Sequence, residues 1–246
     1  MLDNLLLLSG DDIPFPQARI TIHPPKLREI GFIGEENFFM GCELLNFSKD
    51  ILSSEDKSSL EQYEDFEVLM SMMNDRHNSA MAKQTISTLM VLNLMFPTYK
   101  IRLTKNTFSL TDEQGQEFFI DKKTFPLFRE MVAEMFCLKK KEADYNPAGS
   151  LSKKIADQMR QGQIKRDQSK SGDAPKKVSI LNRYASILAV GEHKDLNELM
   201  NYTVYQLNDE FQRFELNDAH ELYIRLKLAG AKDVKEVEDW MKELHP

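Results

Sequence analysis

Glycine and proline are scarce, 10 and 9 in 246 residues, where average usage would place more of both. A chain with so few breakers favours helices. The glycines it has form neither GxGxxG nor GxxxxGK[ST], so the common phosphate-cradling nucleotide folds are unsupported. Only two cysteines occur, Cys42 and Cys137, far apart in apolar surroundings and without CxxC spacing. That excludes a disulfide framework and a thiolate metal site, and reads as two buried thiols in a reducing compartment. Five histidines are scattered without HExxH spacing. Long apolar runs are missing too: Leu89–Phe96, broken by Asn93, falls far short of the roughly 20 residues a membrane helix needs. The opening MLDNLLLL lacks a basic leader and a small-residue cleavage site, so no signal peptide is expected. A basic excess is absent as well. The formal charge is −7, which argues against nucleic acid as the main partner.

What the chain does have is a globular mix, 41% hydrophobic and 29% charged. Its length allows one large domain or two small ones, at roughly 100–200 residues each. Charge is uneven. Leu138–Lys177 carries eleven Lys or Arg against five Asp or Glu, a balance of +6, leaving 21 against 34, or −13, for the rest.

Local patterns divide the chain into three. QARITIH (17–23) alternates as a strand and is closed by Pro24-Pro25, the second proline suiting a first helical turn. From Lys26 the apolar spacing becomes helical, with a kink expected near Gly31 and Gly34. A turn at Ser53-Ser54-Glu55-Asp56 reads as the cap of a helix running to about Met73, and Met81–Phe96 as a second helix stopped by Pro97. TYKIRLT, NTFSLTD and QEFFID (98–121) predict a small antiparallel meander. Phe125–Leu138 returns to helix. Residues 145–177 predict a polar, basic helix and a flexible Ser/Gly/Asp/Pro-rich linker. Beyond it, Val178–Val190, a short helix capped by Asp195, a long helix from Thr203 to Leu228 ended by Gly230, and Val234–Leu244 form a helical bundle. The expected fold class is α+β, mainly α: an α+β domain at 1–138 with an antiparallel β-meander, a basic helix and linker at 139–177, and a helical domain at 178–246.

Candidate chemistry is thin. Asp11-Asp12 fits a turn before Ile13-Pro14 better than a metal site, and Glu35-Glu36 fits the first turn of a helix. His220, beside Asp218 and Glu221, reads as part of a solvated face. Met70, Met72 and Met73 read as core filler or an adaptable surface. The basic segment has only Tyr145 as a stacking platform, so a solvated connector is the better reading. In YTVYQLNDEFQRF (202–214), Val204, Leu207, Phe211 and Phe214 fall on one helical stripe, with Asp209 and Glu210 off it and no His or Cys at useful spacing. That is a docking helix rather than an acidic active site. The candidate partner-binding residues are Tyr205, Asn208, Phe211, Phe214 and Trp240. Asn208 is expected at the buried edge, bonded to nearby backbone and fixing how this helix meets Trp240 or the 178–190 segment.

Two passages carry a family resemblance. IHPPKLREIGFIGEENFF (22–39) fits a PP-[TK]-x-x-E-I strand end before a G-E-x-x-[FY] helix. NYTVYQLNDEFQRF…LYIRLKLAGAKDVKEVEDWMKEL (201–244) fits a T-x-[YF]-x-[LF]-N-D-[EQ]-F-x-R helix, an LAGA step and a tryptophan, and NPAG (146–149) with its basic helix lies between. The chain thereby resembles proteins of tailed bacteriophages infecting Gram-positive hosts that are similar to tail assembly chaperones. The resemblance implies a non-enzymatic protein of the host cytoplasm that binds tape measure or tail tube protein, with no cofactor, metal or catalytic residue. Lysine stands where threonine is expected after Pro24-Pro25, so a side-chain cap is lost and Pro25 is left to define the helix start. The competing readings are a structural virion component of the tail or baseplate and, behind it, a nucleic-acid-binding adaptor acting through residues 139–177.

Overall fold

A computed structural model describes residues 2–49, 60–75, 78–138 and 179–231. The Ser53–Asp56 cap, the basic helix and linker, and Val234–Leu244 with Trp240 lie outside them. The described part is mainly helical, with one two-stranded and one three-stranded antiparallel sheet.

The opening apolar run forms α1 (Asn4–Ser9), capped by Asp3, whose side chain accepts from Leu5 N at 2.8 Å. A hairpin follows, β1 (Ile13–Phe15) against β2 (Ile20–Ile22), with Phe15 opposite Ile20. β1 escapes a reading by alternation because Pro14 and Pro16 bracket its second half. The prolines are tolerated since both strands lie at an edge. β2 leads into α2 (Leu27–Ile33) and α3 (Glu35–Leu45). The break falls at Gly34, whose φ of +82° ends one helix and starts the next, a conformation closed to most side chains. Pro25 does not occupy the first turn as expected. Lys26 is the cap residue, and the cap bond comes from Glu29, whose carboxylate accepts from Lys26 N at 2.7 Å.

α4 (Asp65–Asn74) starts later than the sequence suggests. Its cap is Glu64, whose N–H donates to Glu67 at 3.0 Å. α5 (Ser79–Met95) is capped by Asn78, and β3 (Lys100–Leu103), β4 (Phe108–Thr111) and β5 (Glu117–Ile120) form the meander in that order. α6 (Phe125–Met135) carries Pro126 in its first turn. After the segment that lies outside the described residues come α7 (Ile180–Gly191), α8 (Leu196–Leu199) and the 25-residue α9 (Val204–Leu228). Asp195 caps α8 and Thr203 caps α9, as their spacing predicts. At the far end, Gly230 (φ +84°) donates to Lys227 O and Ala231 N to Leu226 O. Those two bonds are a Schellman motif, which ends the helix at that point.

The core centres on α6. Phe128 lies 6.2 Å from Phe15 of the hairpin, 6.1 Å from Phe96 at the end of α5, and 6.4 Å from Phe125 (ring centroids). Phe66 joins them 4.7 Å from Phe125 and 6.0 Å from Phe108 of the meander. Tilted, stacked and edge contacts at such distances add to the burial of the rings themselves. Met70 and Met73 are buried within this core and the half-buried Met72 packs against it, so the Met cluster is filler.

The two described ends of the chain share the core. Lys26 and Thr203 form an antiparallel bridge, while Leu27 N and Arg28 N donate to Tyr202 O (2.9 Å) and Met200 O (3.0 Å). Gln206 Nε2 donates to Leu8 O at 2.7 Å, and its Oε1 accepts from Thr203 N at 2.8 Å. One side chain thus closes the carbonyl end of α1 and the amide end of α9 together.

Candidate functional site: the seam around the long helix

α9 begins as a capping box, with Gln206 N donating to Thr203 Oγ1 at 3.2 Å and the reciprocal bond from Thr203 N. Its first half is clasped by α1 and α6 on one side and α7 on the other, and four candidate residues lie here. Tyr205 is buried, and its hydroxyl donates to Asn4 Oδ1 at 3.4 Å. Phe211 is buried in a stack on Tyr184, with centroids 3.8 Å apart and planes 7° from parallel. Phe214, half-buried, lies over Gly191, where a Cβ would come within 2.5 Å of the ring. Tyr205 and Phe211 are therefore committed to the chain's own packing. Asn208 sits at the buried edge as expected, but the group it acts on is neither backbone nor the 178–190 segment: it is the Cys137 thiol, just beyond α6, whose ionised form the Asn208 amide favours. Trp240 lies outside the described residues.

The sequence placed Asp209 off the buried stripe, and the structure buries it at 5% exposure. The stripe underestimates the arc because partners flank the helix on two sides. Arg213 pairs with Asp209 in fork geometry, Nε to Oδ2 at 2.9 Å and Nη2 to Oδ1 at 3.4 Å. Their i,i+4 spacing was the available signal. Glu210, on the other side, accepts from Lys194 Nζ at 2.6 Å, and Lys194 also donates to the Tyr202 hydroxyl at 3.2 Å.

Electrostatics keep this seam chemically quiet. Burial pushes the Cys137 thiol up to about 11, with the Asn208 bond opposing and the Asp209 charge reinforcing. Tyr205 is pushed up to about 12 by burial and then by Asp209. Cys42, fully buried beside Glu43, is also raised. Near neutrality all three hold their protons, so neither thiol is an activated nucleophile. Among the described residues, no group of three His, Cys, Asp or Glu is placed to hold a metal. No helix among them is long and apolar enough to cross a membrane.

Two further placements were not legible. Glu35 does sit in the first turn of α3, but its Oε1 also accepts from Ile180 N (2.7 Å) and Leu181 N (3.3 Å), capping α7 from another helix. Asp12 is not simply a turn residue: its Oδ1 lies 2.8 Å from His23 Nδ1, while His23 Nε2 lies 3.2 Å from Glu29.

The second half of α9 is different. From Glu221 onward almost every residue is exposed, including Leu222 (56%), Ile224 (43%), Leu226 (40%) and Leu228 (83%). At 3.6 residues per turn Leu222 lies five full turns after Val204, so Leu222 and Leu226 prolong the stripe that is buried lower down. Ile224 points away from that stripe, and Leu228 falls about 40° from the direction of Phe214. An apolar stripe that runs past the body that buries its first half is a surface without an internal partner among the described residues.

The model of the YomV second domain family matches residues 174–245, a span that contains α7, α8 and α9. No curated protein and no solved structure matches the chain.

Proposed function

We propose that the protein is a non-enzymatic tail morphogenesis factor of a tailed bacteriophage, a tail assembly chaperone that binds tape measure or tail tube protein in the host cytoplasm. The observation that carries this reading is the division of α9 into a half locked into the body and a half presenting Leu222, Ile224, Leu226 and Leu228 to solvent. A partner's apolar helix laid along the stripe of Leu222 and Leu226 would be shielded until assembly. The quiet protonation of Cys137 and Tyr205 supports a binding role over covalent or acid–base chemistry at this seam.

Co-expression with a tape measure protein tests it. The wild-type chain should keep that protein soluble and co-purify with it. Leu222→Glu with Leu226→Glu should fold normally, because neither residue is buried, and lose the complex. Absence of any complex with the wild-type chain for both tape measure and tail tube protein would refute the reading. Mass spectrometry of purified virions separates a chaperone, absent from particles, from a structural tail or baseplate subunit present at fixed copy number.

A further inference from the structure

Between the β1–β2 turn and α6 lies a cleft of about 180 Å³. Leu2, Phe15, Leu127 and Met131 form its apolar wall, and Glu130 and Glu134 stand beside them. Sites for small metabolites run to roughly 300 Å³ or more. This recess is the size for one long side chain rather than a metabolite.

Its chemistry specifies which side chain. Glu130 and Glu134 are four residues apart on α6 and so share a face. Among the described residues neither carboxylate has a cationic partner, whereas Asp65, Glu67, Asp209, Glu210 and Glu221 each do. Glu134 Oε2 accepts from Leu2 N at 2.6 Å, which fixes that carboxylate at the cleft. The arginine of α6 itself, Arg129, is turned elsewhere, its Nη1 donating to Asp65 Oδ2 (2.7 Å) and Phe47 O (2.9 Å). An apolar wall asks for an aliphatic stem, and paired carboxylates ask for a cation at its end. A guanidinium meets both demands and can fork across two carboxylates.

We infer that this cleft receives an arginine side chain flanked by apolar residues from a partner protein. The inference rests on the reading of the chain as a binding protein and adds the chemistry of one contact. The site is separate from the exposed half of α9, so a partner engaging both is held at two points and gains in effective concentration.

The test uses the full chain and a fluorescently labelled peptide with one arginine between leucines, beside the same peptide carrying neutral citrulline. The arginine peptide should bind the wild type and weaken roughly tenfold with E130Q/E134Q, the loss expected for two partly exposed ion pairs. Glutamine keeps an acceptor for Leu2 N. Citrulline peptide should bind both forms equally weakly. Equal binding of both peptides to the wild type, or an unchanged arginine affinity in the double variant, overturns the inference. Co-expression keeps the two levels apart. If the wild type and E130Q/E134Q retain tape measure protein equally, the cleft inference fails and the chaperone reading stands. If the wild type retains neither candidate partner, that reading fails and the peptide titration alone decides the cleft.

Discussion

Gly41 and Gly31 offer the same substitution with opposite expected signs. Gly41 lies in α3 where it crosses α5, and a Cβ there would sit 2.6 Å from Ser87 O and 2.7 Å from Val91 Cγ2. Ordinary contact begins at 3.4 Å. Ser87 is a mid-helix residue at 1% exposure and Val91 at 0%, so neither backbone nor side chain has room to give. Gly41→Ala must push the two helices apart by about 1 Å, and a gap of that size forfeits a quarter to a half of each contact it opens. Overpacking costs about 1–3 kcal/mol. Alanine's higher helix propensity returns about 1 kcal/mol. With a backbone obstacle the upper part of the first range applies, and the net is a loss of about 2 kcal/mol. At an m-value of about 3 kcal/mol/M that lowers the urea midpoint by about 0.7 M. Gly31, in α2, has nothing within 4 Å of its Cβ position, so Gly31→Ala should raise stability by about 0.5–1 kcal/mol. Urea unfolding followed by far-ultraviolet circular dichroism reads both. A Gly41→Ala midpoint equal to or above wild type, or two midpoints moving together, would refute the close helix crossing.

The remaining predictions concern the seam and its supports. Gly191→Ala should destabilise by about 1 kcal/mol because its Cβ meets the Phe214 ring at 2.5 Å. That loss should vanish in a Phe214→Ala background, so a double-mutant cycle with no coupling would rule out the contact. Cys137, near 11 when folded against about 8.5–9 when unfolded, holds its proton more tightly in the native state. Its contribution is therefore whole below about pH 9 and is lost as pH rises through about 11, a total of roughly 3 kcal/mol. Urea midpoints from pH 8 to 11 should fall less steeply for Cys137→Ala, and an identical slope would contradict the burial of the thiol. Arg129→Met leaves Asp65 and Phe47 O without their shared donor, and should lower stability by about 1–3 kcal/mol. Calorimetry showing an unchanged melting temperature would show that bridge to be idle.

Elements whose neighbours in sequence determine them were legible. The meander, the Asp195 and Thr203 caps, the break at Gly34 and the terminator at Gly230 all follow from local turn and cap chemistry. What was not legible depended on contacts distant in sequence. β1 is a strand only because β2 pairs with it. α4 starts at the Glu64 cap rather than running on from Leu60, because Glu64 and Glu67 close a capping box there. Asp209 is buried because α9 is clasped from two sides, which a single stripe cannot reveal. Asn208 lies at the edge that its spacing predicts, but the thiol it acts on is 71 positions earlier in the chain. In sequence the exposed Leu222–Leu228 half belongs to one helix with the rest, and only the body's outline shows where cover by the described residues ends.

The bridge between Lys26 and Thr203, with the Gln206 and Glu35 contacts beside it, has a topological consequence. Leu138 and Ser179 are both anchored on one continuous core, so the covalent path between them is not what holds 179–231 in place. A chain cut between those two residues would remain a two-piece noncovalent assembly, and the pieces expressed separately would find one another through the seam, the core acting as its own fastening.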